Sequence, residues 1–297
     1  MTTTDSPRIL VNCKDSNAEN PLWHPQHEYL YWTDIPCGEI SRYYPQTNTY
    51  ERIYRGESVG GFTIQADGSL LLFKTQGTVE IWNEGEITTV IESIPEAKGT
   101  RFNDAIADPE GRVYSGIMGT DDNEGKLYRI NLDGSYDVVA EGFLVPNGMG
   151  FNSDYTYFYL TDSDRRSIYR FNYDRQTGNL SDRQVLIEVP EGEGVPDGMT
   201  VDSEDYIWSA RWDGGHLYRY SPDGKEVMRV SLPTEKVSCV TFGGDDYDRM
   251  FISTAKDGDR CFTLQEKWSE SNPAGDIFHL QTGIKGRPEF LSRICLD

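Results

Sequence analysis

The sequence predicts an all-β chain folded as a six-bladed β-propeller, and three observations carry that prediction. A strand-start segment recurs six times, at intervals of 41 to 50 residues. Each copy is followed by a polar or glycine turn and then by a run rich in aromatic and β-branched residues. Long amphipathic helical patterns are absent, which disfavours alternating α/β architectures.

Taken in order, the strand starts are Glu19, Gly60 (or Gly61), Asn103, Asn147, Asp197 and Ser238. A second run follows each one: residues 28–33, 69–73, 112–116, 155–160, 206–210 and 249–254. Turns such as Ala66-Asp67-Gly68 and Asp202-Ser203-Glu204-Asp205 lead into these runs, as turn chemistry requires. A third, aromatic-rich run is expected at 39–44, 77–82, 126–130, 167–171, 216–220 and 276–280. Four repeats show a fourth run, such as 136–140 or 226–230, and the last repeat lacks one. Residues 8–13 (RILVNC) precede the first repeat and are apolar and β-branched. They are expected to supply the missing outer strand, so that an N-terminal strand completes the last blade and closes the ring. Residues 1–297 then form a single domain, with the tail 287–297 lying over the ring.

The formal charge of −21 argues against nucleic-acid and anionic-membrane partners, which need clustered Lys and Arg. The first ten residues carry no apolar signal-peptide core, and no apolar run approaches the roughly 18 residues that span a bilayer. Five scattered cysteines without a CxxC are expected as free thiols in a reducing compartment, which points to the cytoplasm. Nothing in the sequence fixes the oligomeric state.

Oxygen-bearing side chains at equivalent positions of a cyclic repeat converge on its axis. Glu19, Asn103, Asn147 and Asp197 are four such groups, while Gly60 and Ser238 leave room. Singly, each residue could cap a strand or a turn; four in register indicate a site for a hard divalent cation. The four histidines (His24, His27, His216, His279) have no ligand spacing and read as surface or packing residues. There is no GxSxG, and Cys239 has no evident base.

These residues fall in motifs that resemble the SMP-30/gluconolactonase/luciferin-regenerating-enzyme family. The motifs are E-N-P-L-W at Glu19, R-F-N-D at Arg101, P-N-G-M at Pro146, P-D-G-M at Pro196, A-R-W-D-G-G at Ala210 and S-C-V-T-F-G-G at Ser238. The resemblance covers nearly the whole chain and implies a six-bladed propeller that binds a divalent metal and hydrolyses lactones. It implies Glu19, Asn147 and Asp197 as metal ligands, Arg101 and Asn103 as substrate contacts, and Asp197 as general base. The expected cation is Ca²⁺, with Zn²⁺, Mn²⁺ or Mg²⁺ as alternatives, and the expected partner is a small-molecule lactone of the gluconolactone type. Asp121 is the counterpart of an acidic residue that contacts sugar hydroxyls in family members, and Ala105 stands where glycine often follows R-F-N-D. Trp212, Phe102 and Met149 are further candidates for the site wall. Two other readings stay open: a metal-dependent esterase acting on a non-sugar lactone or organophosphate, and a non-catalytic calcium-binding propeller.

Overall fold

The computed structural model describes residues 6–258, 260–262 and 272–296. These residues form six four-stranded antiparallel sheets, arranged as a six-bladed β-propeller. The first blade runs β2 (Ala18–His24), β3 (Tyr29–Asp34), β4 (Glu39–Tyr44) and β5 (Thr49–Arg55). The second has β6 (Val59–Ile64), β7 (Leu70–Lys74), β8 (Val79–Asn83) and β9 (Glu86–Ile91). The third has β10 (Phe102–Ala107), β11 (Val113–Ile117), β12 (Gly125–Ile130) and β13 (Tyr136–Phe143). The fourth has β14 (Pro146–Phe151), β15 (Tyr157–Asp162), β16 (Ser167–Asp174) and β17 (Asn179–Glu188). The fifth has β18 (Val195–Val201), β19 (Ile207–Trp212), β20 (His216–Tyr220) and β21 (Glu226–Ser231). The sixth joins β22 (Val237–Gly243), β23 (Arg249–Thr254) and β24 (Ile277–Gln281) to β1 (Arg8–Val11). Helix is confined, among the described residues, to 3-10 turns at Ile35–Cys37 and Pro95–Ala97, and no helix is long and apolar enough to cross a membrane.

Burial follows strand position. The second strands β7 and β11 are buried at every residue, whereas the fourth strands β5, β9 and β17 are mostly exposed and polar. Continuous apolar runs such as LLLF suit strands covered on both faces, and charged edges discourage further pairing. Five repeats carry their own fourth strand, one more than the sequence pattern reveals. The turns between first and second strands are held by aspartates. Asp108 accepts the backbone N–H groups of Glu110 and Arg112, and Asp202 those of Glu204 and Tyr206.

The contacts divide the chain into two compact units. One is Met1–Ser58 with Val189–Pro288, and the other is Val59–Glu188 with Glu289–Asp297. In the first unit β1 pairs with β24 through Arg8↔His279, Ile9↔Phe278 and Val11↔Ile277, which is the expected closure of the last blade. Val11 and Cys13 join Trp23, Trp32, Phe251 and Ile277 in one apolar cluster. The same unit holds a disulfide between Cys37 and Cys261, which corrects the expectation of free thiols. The partners are 224 residues apart in sequence, and a spacing rule based on short intervals cannot reveal them. Cys13, Cys239 and Cys295 remain reduced. In the second unit the tail crosses the far ends of first strands: Ser292 donates to Ile64 O at 2.9 Å and Arg293 to Gly111 O at 2.9 Å. Phe290 packs against Phe151 and Tyr155.

Removing residues 1–14 strips β24 of its outer partner and takes Val11 and Cys13 out of their cluster. Side chains of this size contribute about 1.5–3 kcal/mol each when fully buried. Thermal melting of the truncated chain is expected to fall by about 10 °C. An unchanged melting temperature would show that β1 does not close the blade.

Candidate active site at the strand bulges

Each first strand carries one residue more than the neighbour it pairs with. β6 advances from Val59 to Gly61 while β7 moves only from Lys74 to Phe73. β22 does the same between Val237 and Cys239, against Thr254 and Ser253. In β10, β14 and β18 the stretches Phe102 to Ala105, Pro146 to Met149 and Pro196 to Met199 each face a stretch one residue shorter. β2 shows the same excess between Glu19 and Leu22. Every residue picked out by the repeat spacing sits at or beside one of these bulges. A bulge takes a side chain out of the strict alternation of a strand and re-aims it. Glu19, Asn103, Asn147 and Asp197 are all buried, between 5% and 7% exposed.

In the unit of Val59–Glu188 the strand starts touch in sequence order. A Cβ on Gly60 would overlap the carbonyl oxygen of Phe102, so glycine is required there for the two strands to approach. Asn103 donates from Nδ2 to Pro146 O at 3.1 Å, immediately before Asn147. Arg101 donates from Nη1 to Asn103 Oδ1 at 2.6 Å and to Phe102 O at 3.0 Å. The structure therefore joins Arg101 and Asn103 as a pair. Asn147 donates from Nδ2 to Ser163 Oγ at 3.1 Å, and its Oδ1 accepts from Gly148 N at 3.0 Å. Asp121 stands apart: it is exposed at the tip of a turn closed by Thr120 N to Asn123 O at 2.8 Å. A cleft of about 290 Å³ runs beside that turn, lined by Lys98, Met118, Thr120, Asn123, Glu124 and Lys126.

In the unit of Met1–Ser58 with Val189–Pro288 the pattern repeats. Ser238 donates from Oγ to Ala18 O at 2.6 Å, immediately before Glu19. A Cβ on Gly198, next to Asp197, would overlap Cys239 Sγ, so the Cys239 thiol serves as close packing at this point. Glu19 accepts the Asn20 N–H on Oε2 at 2.8 Å, and Asn20 has a φ of 49°, a left-handed backbone that asparagine tolerates. His24 is the last residue of β2. Burial pushes its pKa down to about 4, and its ring stacks on His27. Phe102 and Met149 are core residues rather than site wall, and Trp212 lies under the Lys236 ammonium at 4.8 Å from its ring centroid.

The donor set expected for a metal is thus two buried carboxylates and a buried amide, all oxygen. That chemistry fits a hard divalent cation completed by water or substrate oxygens. Among the described residues no three His, Cys, Asp or Glu side chains gather into a metal site.

Each first strand of the propeller thus presents a polar or small residue at a bulge, with a buried carboxylate or amide on four of the six. Residues 17–256 match the SMP-30/Gluconolactonase/LRE-like region, and the chain belongs to that family. It is 44% identical to pentonolactonase XacC of Haloferax volcanii, over 94% of this chain and 95% of that protein. It is 30% identical to the 6-deoxy-6-sulfogluconolactonase of Pseudomonas putida, over 95% of this chain and 94% of that protein. Among solved structures it resembles regucalcin of Agrobacterium tumefaciens, described as a calcium-binding protein, with a TM-score of 0.88, 25% identity and coverage of 97% of this chain and 98% of that one.

The bulge residue beside Asn103 has its own electrostatics. Burial raises the Asp104 carboxyl to about 7; the Ala105 N–H works against the shift and the Glu289 charge adds to it. An unfolded aspartate titrates near 3.9. Between the two values the folded chain holds a proton that the unfolded chain has lost. Stability from this group is therefore complete below about pH 4 and is lost as pH rises to about 7. Asp104→Asn lacks this loss, so melting curves from pH 5 to 8 should show the variant gaining on the parent as pH rises. A constant gap across that range would contradict the buried, proton-holding carboxyl.

Proposed function

We propose that this protein hydrolyses a lactone of the sugar-lactone class with the help of one bound divalent cation. The observation that carries the reading is the shared bulge position of Glu19, Asn147 and Asp197, which buries three oxygen donors at equivalent points of the repeat. Relatives at 44% and 30% identity that are lactonases support the substrate class, and the likeness to a regucalcin described as calcium-binding supports a cation.

Glu19, Asn147 and Asp197 would hold the cation, Ca²⁺ first among the alternatives. When bound, a divalent ion supplies Lewis-acid polarisation of the carbonyl and stabilisation of the developing oxyanion. Asp197 takes a proton from water as the water oxygen bonds to the carbonyl carbon. The ring C–O bond then breaks, the leaving alkoxide takes that proton back from Asp197, and the product is an open hydroxy acid. A carboxylate has two oxygens, so Asp197 can serve as both ligand and base. Arg101 orients Asn103 through their hydrogen bond, and the pair presents N–H donors to the substrate oxygens. Asp121, exposed on its turn, would reach hydroxyl groups only on a substrate that extends towards that loop.

The test is a panel of aldonolactones and aromatic lactones, assayed after metal stripping and after return of Ca²⁺, Mg²⁺, Mn²⁺ or Zn²⁺. Glu19→Gln and Asp197→Asn are expected to abolish turnover, and Arg101→Ala to lower kcat by about 10²–10³. Full activity after exhaustive EDTA treatment would sink the metal reading. Cation binding without turnover of any lactone would favour the calcium-binding propeller instead.

A further inference from the structure

Asn147 differs from Glu19 and Asp197 in one chemical respect. A carboxylate presents the same atom type on both sides, but an amide presents oxygen on one side and N–H donors on the other. An amide can bind a cation only through its oxygen. Something must therefore fix which way Asn147 faces.

The Gly148 N–H, donating to Oδ1 at 3.0 Å, marks the oxygen side, and the groups that hold the N–H side lie fifteen and sixteen positions downstream, at the end of β15. Asp162 is fully buried, and its carboxylate accepts the N–H of Val145 on Oδ1 and of Leu144 on Oδ2, each at 3.0 Å. The Ser163 N–H returns a bond to Val145 O at 3.0 Å. The segment entering β14 is thus clamped from both sides, two residues before Asn147. Ser163 Oγ then accepts Asn147 Nδ2 at 3.1 Å, so the amide is held at both ends, by the Gly148 N–H on Oδ1 and by Ser163 on Nδ2. Arg165 extends the clamp, meeting Asp162 Oδ2 at 3.4 Å and Glu124 Oε1 at 2.7 Å, on the loop that carries Asp121.

The first and third blades serve as internal controls. Asp34 also lies fifteen positions after its strand-start residue, Glu19, and accepts the N–H groups of Ser16 and Asn17 at 3.0 Å each. Ile35 N donates to Asn17 O at 3.1 Å, so the backbone half of the clamp is the same. Yet Ile35 has no hydroxyl, and Glu19 needs none, because a carboxylate has no wrong orientation. In the third blade Ile117 and Met118 occupy these places, and only the backbone bond from Met118 N to Arg101 O, at 3.2 Å, is kept. Among these three blades the hydroxyl appears only where the strand-start residue is an amide expected to bind a cation.

We infer that Asp162 and Ser163 are positioning residues for the metal site: Asp162 fixes the strand entry and Ser163 holds the Nδ2 side of the Asn147 amide in place. This rests on the reading of Asn147 as a ligand. Removing such an outer partner typically weakens metal affinity about 10–100-fold.

Calorimetric titration of the full-length, metal-stripped chain with Ca²⁺, Mg²⁺ and Mn²⁺ separates the possibilities, with the melting temperature of each metal-free variant taken alongside. Ser163→Ala is expected to weaken binding of the parent's preferred ion about 10–100-fold, while its metal-free melting temperature stays within about 2 °C of the parent. Saturating metal should then restore a near-parental kcat. Asp162→Asn should weaken binding in the same direction. If Ser163→Ala binds as the parent does while Asn147→Ala does not, the positioning role is wrong and the ligand reading survives. If Asn147→Ala binds as the parent does, or the parent binds none of these ions and no Zn²⁺ in a parallel titration, both fail.

Discussion

The extra residue in every first-strand pair is the constraint on which the rest of the site depends. A bulge breaks the ladder and leaves a backbone N–H without its strand partner. The site side chains meet that need themselves: Glu19 takes the N–H of Asn20, Asn147 that of Gly148 and Asp104 that of Ala105. Each bond satisfies a buried donor and at the same time limits where the oxygen can point. Structural repair and placement of the functional atom are one interaction. This explains why polar side chains are tolerated on strands that are otherwise buried along their whole length, such as β14.

Much of this was legible in the sequence, and the failures share a cause. Repetition exposed the six blades, the strand-start residues and the closing strand at 8–13, because each has an echo elsewhere in the chain. The bulges were hidden, since a bulge is a relation between two strands and has no residue of its own. The pairing of Cys37 with Cys261 was hidden for a similar reason: only the return of the last blade to the first makes neighbours of them. Asp162 and Ser163 did leave a trace, because Thr-Asp recurs at Thr33-Asp34 and Thr161-Asp162, at the same distance from Glu19 and Asn147. That trace resembled ordinary turn composition, and its meaning depended on which backbone groups the aspartates reached.

The small residues at the site do as much as the polar ones. Gly60 admits the Phe102 carbonyl and Gly198 admits the Cys239 thiol, so neighbouring strand starts come closer than any side chain would permit. Close approach lets Asn103 reach the carbonyl before Asn147, and Ser238 the carbonyl before Glu19. The position of each polar group is thereby tied to the strand beside it as well as to its own. Within each unit, placement is thus shared among the contacts of neighbouring strands.

The disulfide adds a property of connectivity. Because Cys37 and Cys261 are bonded, everything from β4 to β23 belongs to one covalent loop. A protease that cuts any surface turn inside that loop produces no separate fragment: both new ends stay attached through the sulfur bridge. The nicked chain keeps its mass and its composition, and a size measurement under non-reducing conditions registers no cleavage. Reduction of the bridge would release the pieces, so the two cysteines decide whether a broken backbone is also a broken molecule.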